Sequence, residues 1–125
     1  MKVAVLGGGP AGLYFAISMK LRDASHDVTV IERNRADDTF GWGVVLSDET
    51  LDNLARNDAA SADSIRAHFA YWDDIAVIHD GVRTLSTGHG FCGIGRKTLL
   101  QLLQARAAEL GVELQFSTEA GPVAD

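Results

Sequence analysis

Gly7, Gly9 and Gly12 stand in a Gly-x-Gly-x-x-Gly arrangement, and an acidic residue, Glu32, follows twenty positions after the last of them. A glycine pattern alone carries little information, because glycine is common in turns. Here it lies between an apolar run, Val3-Ala4-Val5-Leu6, and a segment of helical spacing, and that context gives it chemical meaning. Gly7 permits a tight turn, Gly9 lets the backbone approach a pyrophosphate with no side chain between, and Gly12 lets a helix pack closely on a strand. Pro10 and Ala11 open that helix, at a point where proline's missing amide costs nothing. The unpaired amides and the positive end of the helix dipole then face the ligand's negative charge. Glu32 falls at the end of the next strand, where its carboxylate can accept hydrogen bonds from both hydroxyls of an adenosine ribose; this favours a ribose without a 2'-phosphate. Arg33 is open between three roles: stacking on adenine, touching a 2'-phosphate, or plain surface charge.

The elements that must hold these residues are legible in the hydrophobic pattern. Val3 to Leu6 reads as a strand buried on both faces, the central strand of a parallel sheet. Leu13, Ile17 and Leu21 supply the stripe of a helix over residues 10 to 22. Val28-Thr29-Val30-Ile31 is a second buried strand, so residues 3 to 33 form a βαβ unit. Residues 34 to 39 are polar and turn-like, and Gly41-Trp42-Gly43-Val44-Val45 reads as a shaped loop. Ser47 caps a helix through Asn57, with Asp48 and Glu49 in its first turn, and a second short helix starts after Ser61. Ile75 to Ile78 and Val82 to Leu85 flank His79-Asp80-Gly81, a hairpin signal that predicts an antiparallel ribbon. A Leu-rich helix spans residues 97 to 110, closed by Gly111, and Val112, Leu114 and Phe116 alternate as a strand. The fold class is α/β: a Rossmann-like βαβ core with a parallel sheet and an added antiparallel ribbon.

Composition narrows the function classes. The chain has 125 residues, 46% of them hydrophobic, enough for one core. A net charge of -6 lacks the basic footprint of a nucleic-acid binder or an anionic-membrane binder. Cys92 is the single cysteine, so neither an internal disulfide nor a CxxC redox pair is available. His26, His68, His79 and His89 show no compact ligand spacing and Asp73-Asp74 reads as a solvated turn, so no metal site is expected. With no signal segment and no long apolar run, a cytoplasmic protein is expected. Cys92 itself, flanked by apolar residues and glycine, reads as a buried structural thiol. No residue stands out as a catalytic acid or base, and the oligomeric state is not fixed by the sequence.

Three segments besides the glycine loop carry a more specific resemblance: Glu32-Arg33, the run Gly41 to Leu46, and Cys92-Gly93-Ile94-Gly95-Arg96 leading into the Leu-rich helix. With them the chain resembles the N-terminal part of the group A flavoprotein monooxygenases. Phe40 to Asn53, Phe69 to Asp74 and Gly88 to Arg96 carry a narrower similarity to the hydroxylases of aromatic acyl-CoA thioesters. The resemblance implies that FAD is the cofactor, that Gly43, Val44 and Val45 pass close to the flavin, and that Arg96 reaches its pyrophosphate or ribose. A guanidinium fork suits paired phosphate oxygens; the plain alternative is an exposed arginine at a helix start. Trp42 either packs beside the flavin or fills the core, with core packing favoured. The implied parent reaction is reduction of FAD by NADH or NADPH and transfer of one oxygen atom from dioxygen to a small aromatic substrate, a CoA thioester in the narrower reading. In that family a downstream Gly-Asp flavin motif and a substrate domain complete the enzyme; neither is read after Phe116. Residues 1–125 are thus expected to be the N-terminal part of an FAD-binding domain, inactive alone. Two other readings are a stand-alone adenine-dinucleotide module without catalysis and a fragment of an NAD(P)-dependent dehydrogenase.

Overall fold

A computed structural model describes residues 1–121. In chain order its elements are β1 (Lys2–Leu6), α1 (Pro10–Arg22), β2 (Asp27–Ile31), β3 (Gly43–Ser47), α2 (Asp48–Asn57), α3 (Ala59–Arg66), β4 (Ala70–Trp72), β5 (Ile75–His79), β6 (Val82–Ser86), β7 (Phe91–Gly95), α4 (Arg96–Glu109) and β8 (Glu113–Gln115). They fall into two units, one built from Met1–Trp42 with the chain from Arg96 onward, the other from Gly43–Gly95.

The first unit contains the expected βαβ arrangement. β1 pairs with β2 in parallel, Val3 opposite Val28 and Val5 opposite Val30, and β2 pairs in parallel with β8. The alternation of a strand puts these four valines on one face, and Val5, Val28 and Val30 are buried there. Leu13, Ala16 and Ile17 of α1 and Leu99, Leu100, Leu103 and Ala107 of α4 complete the core. The sheet order β1-β2-β8 makes β2 the middle strand, so the expectation of a central β1 buried on both faces does not hold. Ala4 and Leu6 point to the opposite face and are exposed. An unbroken apolar run signals two covered faces only when the chain supplies both covers, and among the described residues the buried side chains of α1 and α4 join the valine face alone. α4 closes as expected at Gly111, whose φ of 80° suits glycine, with Val112 N–H donating back to the Ala107 carbonyl at 2.9 Å.

The second unit carries an antiparallel sheet of order β3-β7-β4 that the sequence reading missed. Val44 faces Ile94, and Leu46, Cys92 and Tyr71 sit across from one another. Cys92 and Ile94 are buried together with Leu51 of α2 and Ala62 and Ile65 of α3. Glycines at Gly43, Gly93 and Gly95 lower β propensity and hid these strands. Their presence has a packing reason at two positions. A Cβ on Gly43 would lie 3.0 Å from the Ile94 carbonyl oxygen, and one on Gly93 would lie 3.0 Å from the Trp72 ring. The β5–β6 ribbon forms where expected, with Asp80 and Gly81 both at positive φ in its turn.

Ser47 accepts a hydrogen bond from Thr50 N–H at 3.3 Å and so caps α2 as expected. Ser47→Ala should cost about 1 kcal/mol of stability. A urea titration showing an unchanged midpoint would remove Ser47 from that role. α3 begins at Ala59 instead of after Ser61, because Asp58 takes the N-cap position in an extended conformation and Ser61 donates to its carboxylate at 2.6 Å.

Candidate dinucleotide site

The chain leaves β1 through Gly7, whose φ of 108° lies in the region that side-chain-bearing residues avoid. Gly7 N–H donates to the Ile31 carbonyl at 2.9 Å, which ties the loop to the end of β2. Gly9 then caps α1 in an extended conformation without any side-chain cap, Pro10 takes the first helical position, and no acidic residue enters the first turn. The amides of Ala11 and Gly12 therefore point out of the helix start as free donors, at its positive end. A Cβ on Gly12 would sit 2.0 Å from the Gly7 carbonyl oxygen, so that glycine answers to close packing of helix on loop. A Cβ on Gly9 would meet nothing within 4 Å. The protein itself leaves that space open.

Glu32 is held from two sides. Its Oε2 accepts from Gly8 N–H at 2.7 Å, and its Oε1 accepts from both the backbone N–H and Nδ2 of Asn34 at 2.8 Å. The Asn34 backbone N–H is the main cause that holds the Glu32 carboxyl below its ordinary value of 4.5, with Gly8 N–H, the Asn34 amide and the nearby Arg33 charge adding to it against a partial desolvation that acts the other way. Because the folded-state value is depressed, these bonds contribute stability above pH 4.5 that is lost as pH falls through the folded-state value. Glu32→Ala should therefore flatten the acid limb of a pH-denaturation curve and weaken adenosine binding by about 1–3 kcal/mol. An acid limb and an affinity both unchanged would detach Glu32 from the site.

One cleft beside this loop is lined by Gly8, Gly9, Glu32, Thr39 and Arg96. Arg96 is half-buried at the first residue of α4 and has no carboxylate partner among the described residues. A cation at a helix N-terminus opposes the dipole unless an anion sits there, so its position beside Gly9 suits a phosphate. The Thr39 hydroxyl on the same cleft is buried without a hydrogen-bond partner. A second cleft, lined by Gly7, Glu32, Arg33 and Asn34, lies on the other side. Arg33 is exposed there. The two clefts share Glu32: the first joins it to Gly9 and Arg96, the second to Gly7 and Arg33, while Pro10, Ala11 and Gly12 form the helix start that follows Gly9. Sequence reasoning missed Gly8, Asn34 and Thr39, since none belongs to the glycine pattern or carries charge.

Gly43, Val44 and Val45 belong to the second unit and form β3, not a loop. Val45 is exposed, whereas Val44 is half-buried. Trp42 is 99% exposed, which overturns the expectation of core packing. It follows Gly41 at a φ of 98°, a turn that carries the ring outward, and its carbonyl accepts from Arg96 N–H at 3.1 Å. Cys92 is fully buried and its thiol donates to the Leu46 carbonyl at 3.1 Å. Burial first, and then the Asp48 charge, push its pKa up, so it is a poor thiolate and the structural reading of it holds.

Residues 1–119 match the sequence profile of the pyridine nucleotide-disulphide oxidoreductases. The chain belongs to that family. Although the family is named for disulphide chemistry, this chain's single cysteine leaves no disulphide to form within it. Among the curated relatives, salicyloyl-CoA 5-hydroxylase of a Streptomyces species is 47% identical over 119 residues, covering 95% of this chain and 23% of that enzyme. A 3-hydroxy-4-methyl-anthranilyl-[aryl-carrier protein] 5-monooxygenase of Streptosporangium sibiricum is 34% identical, covering 92% of this chain and 33% of that enzyme. Among solved structures, the tetrameric form of 2-methyl-3-hydroxypyridine-5-carboxylic acid oxygenase superposes with a TM-score of 0.81 at 26% identity, over 95% of this chain and 32% of that one. The chain therefore spans about a quarter to a third of the length of the relatives it matches. The resemblance to aromatic monooxygenases and the α/β fold class are both borne out. No helix among the described residues is long and apolar enough to cross a membrane.

Proposed function

We propose that residues 1–125 are the N-terminal, FAD-binding part of an aromatic monooxygenase that hydroxylates an aryl-CoA thioester with NADH or NADPH and dioxygen, in the cytoplasm. The observation that carries this reading is the glycine loop latched to Glu32, which places Gly8, Gly9 and Glu32 on one cleft with Arg96, a cation without a carboxylate partner among the described residues. These residues fit the adenosine diphosphate half of FAD: open space at Gly9 for the pyrophosphate, donors at Ala11 and Gly12, a cation at Arg96, and a carboxylate at Glu32 for the ribose. Gly43, Val44 and Val45 are assigned to the flavin ring by family resemblance. FAD, once bound, supplies the electron transfer and oxygen chemistry. The part of this chain is to fix the dinucleotide through its phosphates and ribose. The thioester assignment draws on the names of two relatives, which act on a CoA-linked and a carrier-protein-linked aromatic substrate.

The test offers salicyloyl-CoA and free salicylate, with FAD, NADPH and dioxygen, to the 125-residue chain and to any longer natural product that contains it, and scores hydroxylated product by mass spectrometry. Product from the longer protein with the thioester, little with the free acid, and none from the 125 residues alone is expected. Equal turnover of the free acid would defeat the thioester assignment, and no oxygen-dependent product from any aromatic substrate would defeat the monooxygenase reading.

A further inference from the structure

The Glu32 carboxylate is already heavily engaged before any ligand arrives. A carboxylate offers about four acceptor positions, two on each oxygen. Both positions on Oε1 are taken by Asn34, through its backbone N–H and its Nδ2, each at 2.8 Å. Oε2 accepts one bond, from Gly8 N–H at 2.7 Å, and keeps one position. The backbone of Asn34 and of Glu32 is tied down as well. The Asn34 carbonyl accepts from Ser117 N–H at 2.9 Å, Glu32 N–H donates to the Gln115 carbonyl at 2.8 Å, and the Glu32 carbonyl accepts from Thr118 N–H at 3.0 Å. Gly8 lies so close to this side chain that a Cβ there would stand 3.0 Å from Glu32 Cβ.

We propose that Asn34 is a specificity-determining residue: by filling Oε1 it leaves Glu32 a single acceptor position, on the oxygen that also holds Gly8, so that the adenosine ribose is gripped through one hydroxyl and not two. This rests on the reading of Glu32 as the ribose ligand, and it replaces the two-hydroxyl contact expected from the motif. It also makes ribose and phosphate loop share one oxygen, because Oε2 holds both. The depressed Glu32 pKa agrees with the bond count, since each donor favours the charged form.

Calorimetric titration of the 125-residue chain with ADP, 2'-deoxy-ADP and 3'-deoxy-ADP tests it. Removing the one gripped hydroxyl should weaken binding about ten- to a hundred-fold, the range for a hydrogen bond to a charged group. Removing the other should change it less than about three-fold. In Asn34→Ala, which frees one position on Oε1, both deoxy ligands should lose affinity to a similar degree. Equal losses in the unmodified chain, or an unequal pattern that Asn34→Ala leaves unchanged, would overturn the proposal while leaving Glu32 as a ribose ligand. A folded chain that binds none of the three would overturn that ligand reading, and the proposal with it. If Asn34→Ala does not fold, the comparison of the two deoxy ligands on the unmodified chain decides alone.

Discussion

Gly12→Ala is expected to destabilise the first unit by about 3 kcal/mol or more, the upper part of the range for overpacking. The added Cβ would lie 2.0 Å from the Gly7 carbonyl oxygen and 3.3 Å from Val5 Cγ1. A flexible side chain could yield to such a contact. A backbone oxygen in a turn pinned to Ile31 cannot, so either α1 moves off β1 or Gly7 abandons its conformation. Both outcomes disturb a core in which Leu13 and Ile17 of α1 are fully buried. Domains of this size hold only about 5–15 kcal/mol in reserve, so a loss of this size should be plain in a urea titration followed by circular dichroism. A midpoint equal to that of the unmodified chain would mean that helix and loop are not packed as described.

Gly9→Val, only three residues distant, should do the opposite. Its Cβ meets no atom within 4 Å, and its φ of -73° and ψ of 177° are open to any residue. Stability should fall by no more than about 1 kcal/mol, the usual cost of a disfavoured residue at a helix N-cap. Binding of FAD should fall at least about a hundred-fold, because the branched side chain fills the space through which the backbone meets the pyrophosphate. Paired titrations of stability and affinity on the two variants separate a glycine required by the fold from a glycine required by a ligand. A Gly9→Val chain that binds FAD normally would place the pyrophosphate elsewhere.

The glycines of this loop also show how far sequence could take the site. The jobs assigned to Gly7 and Gly12 are met by a left-handed φ and a forbidden Cβ, because a repeated motif encodes a repeated backbone geometry. The partners of Glu32 were not legible. Gly8 falls on a variable position of the motif, and Asn34 acts through a side chain whose target depends on where the β2 end and the loop meet in space. The ribbon β5–β6 was readable because Asp80-Gly81 encodes its own turn. The sheet β3-β7-β4 was not, since β3 and β7 carry glycines and pair across more than forty positions, as Leu46 does with Cys92, and β4 is only a short strand beside them. Trp42 failed for a related reason: a large aromatic ring predicts burial on average, and the glycine turn beside it decides otherwise.

The most direct measurement is a flavin absorbance and fluorescence titration of the purified 125-residue chain with FAD and FMN, with NAD bound in competition. If the glycine loop, Glu32 and Arg96 grip the adenosine diphosphate half, FAD should bind and FMN, which lacks that half, should bind at least about ten-fold more weakly. NAD should compete less well than unlabelled FAD. FMN binding as tightly as FAD, or a folded chain that takes up no FAD, would contradict the assignment of this cleft to the dinucleotide.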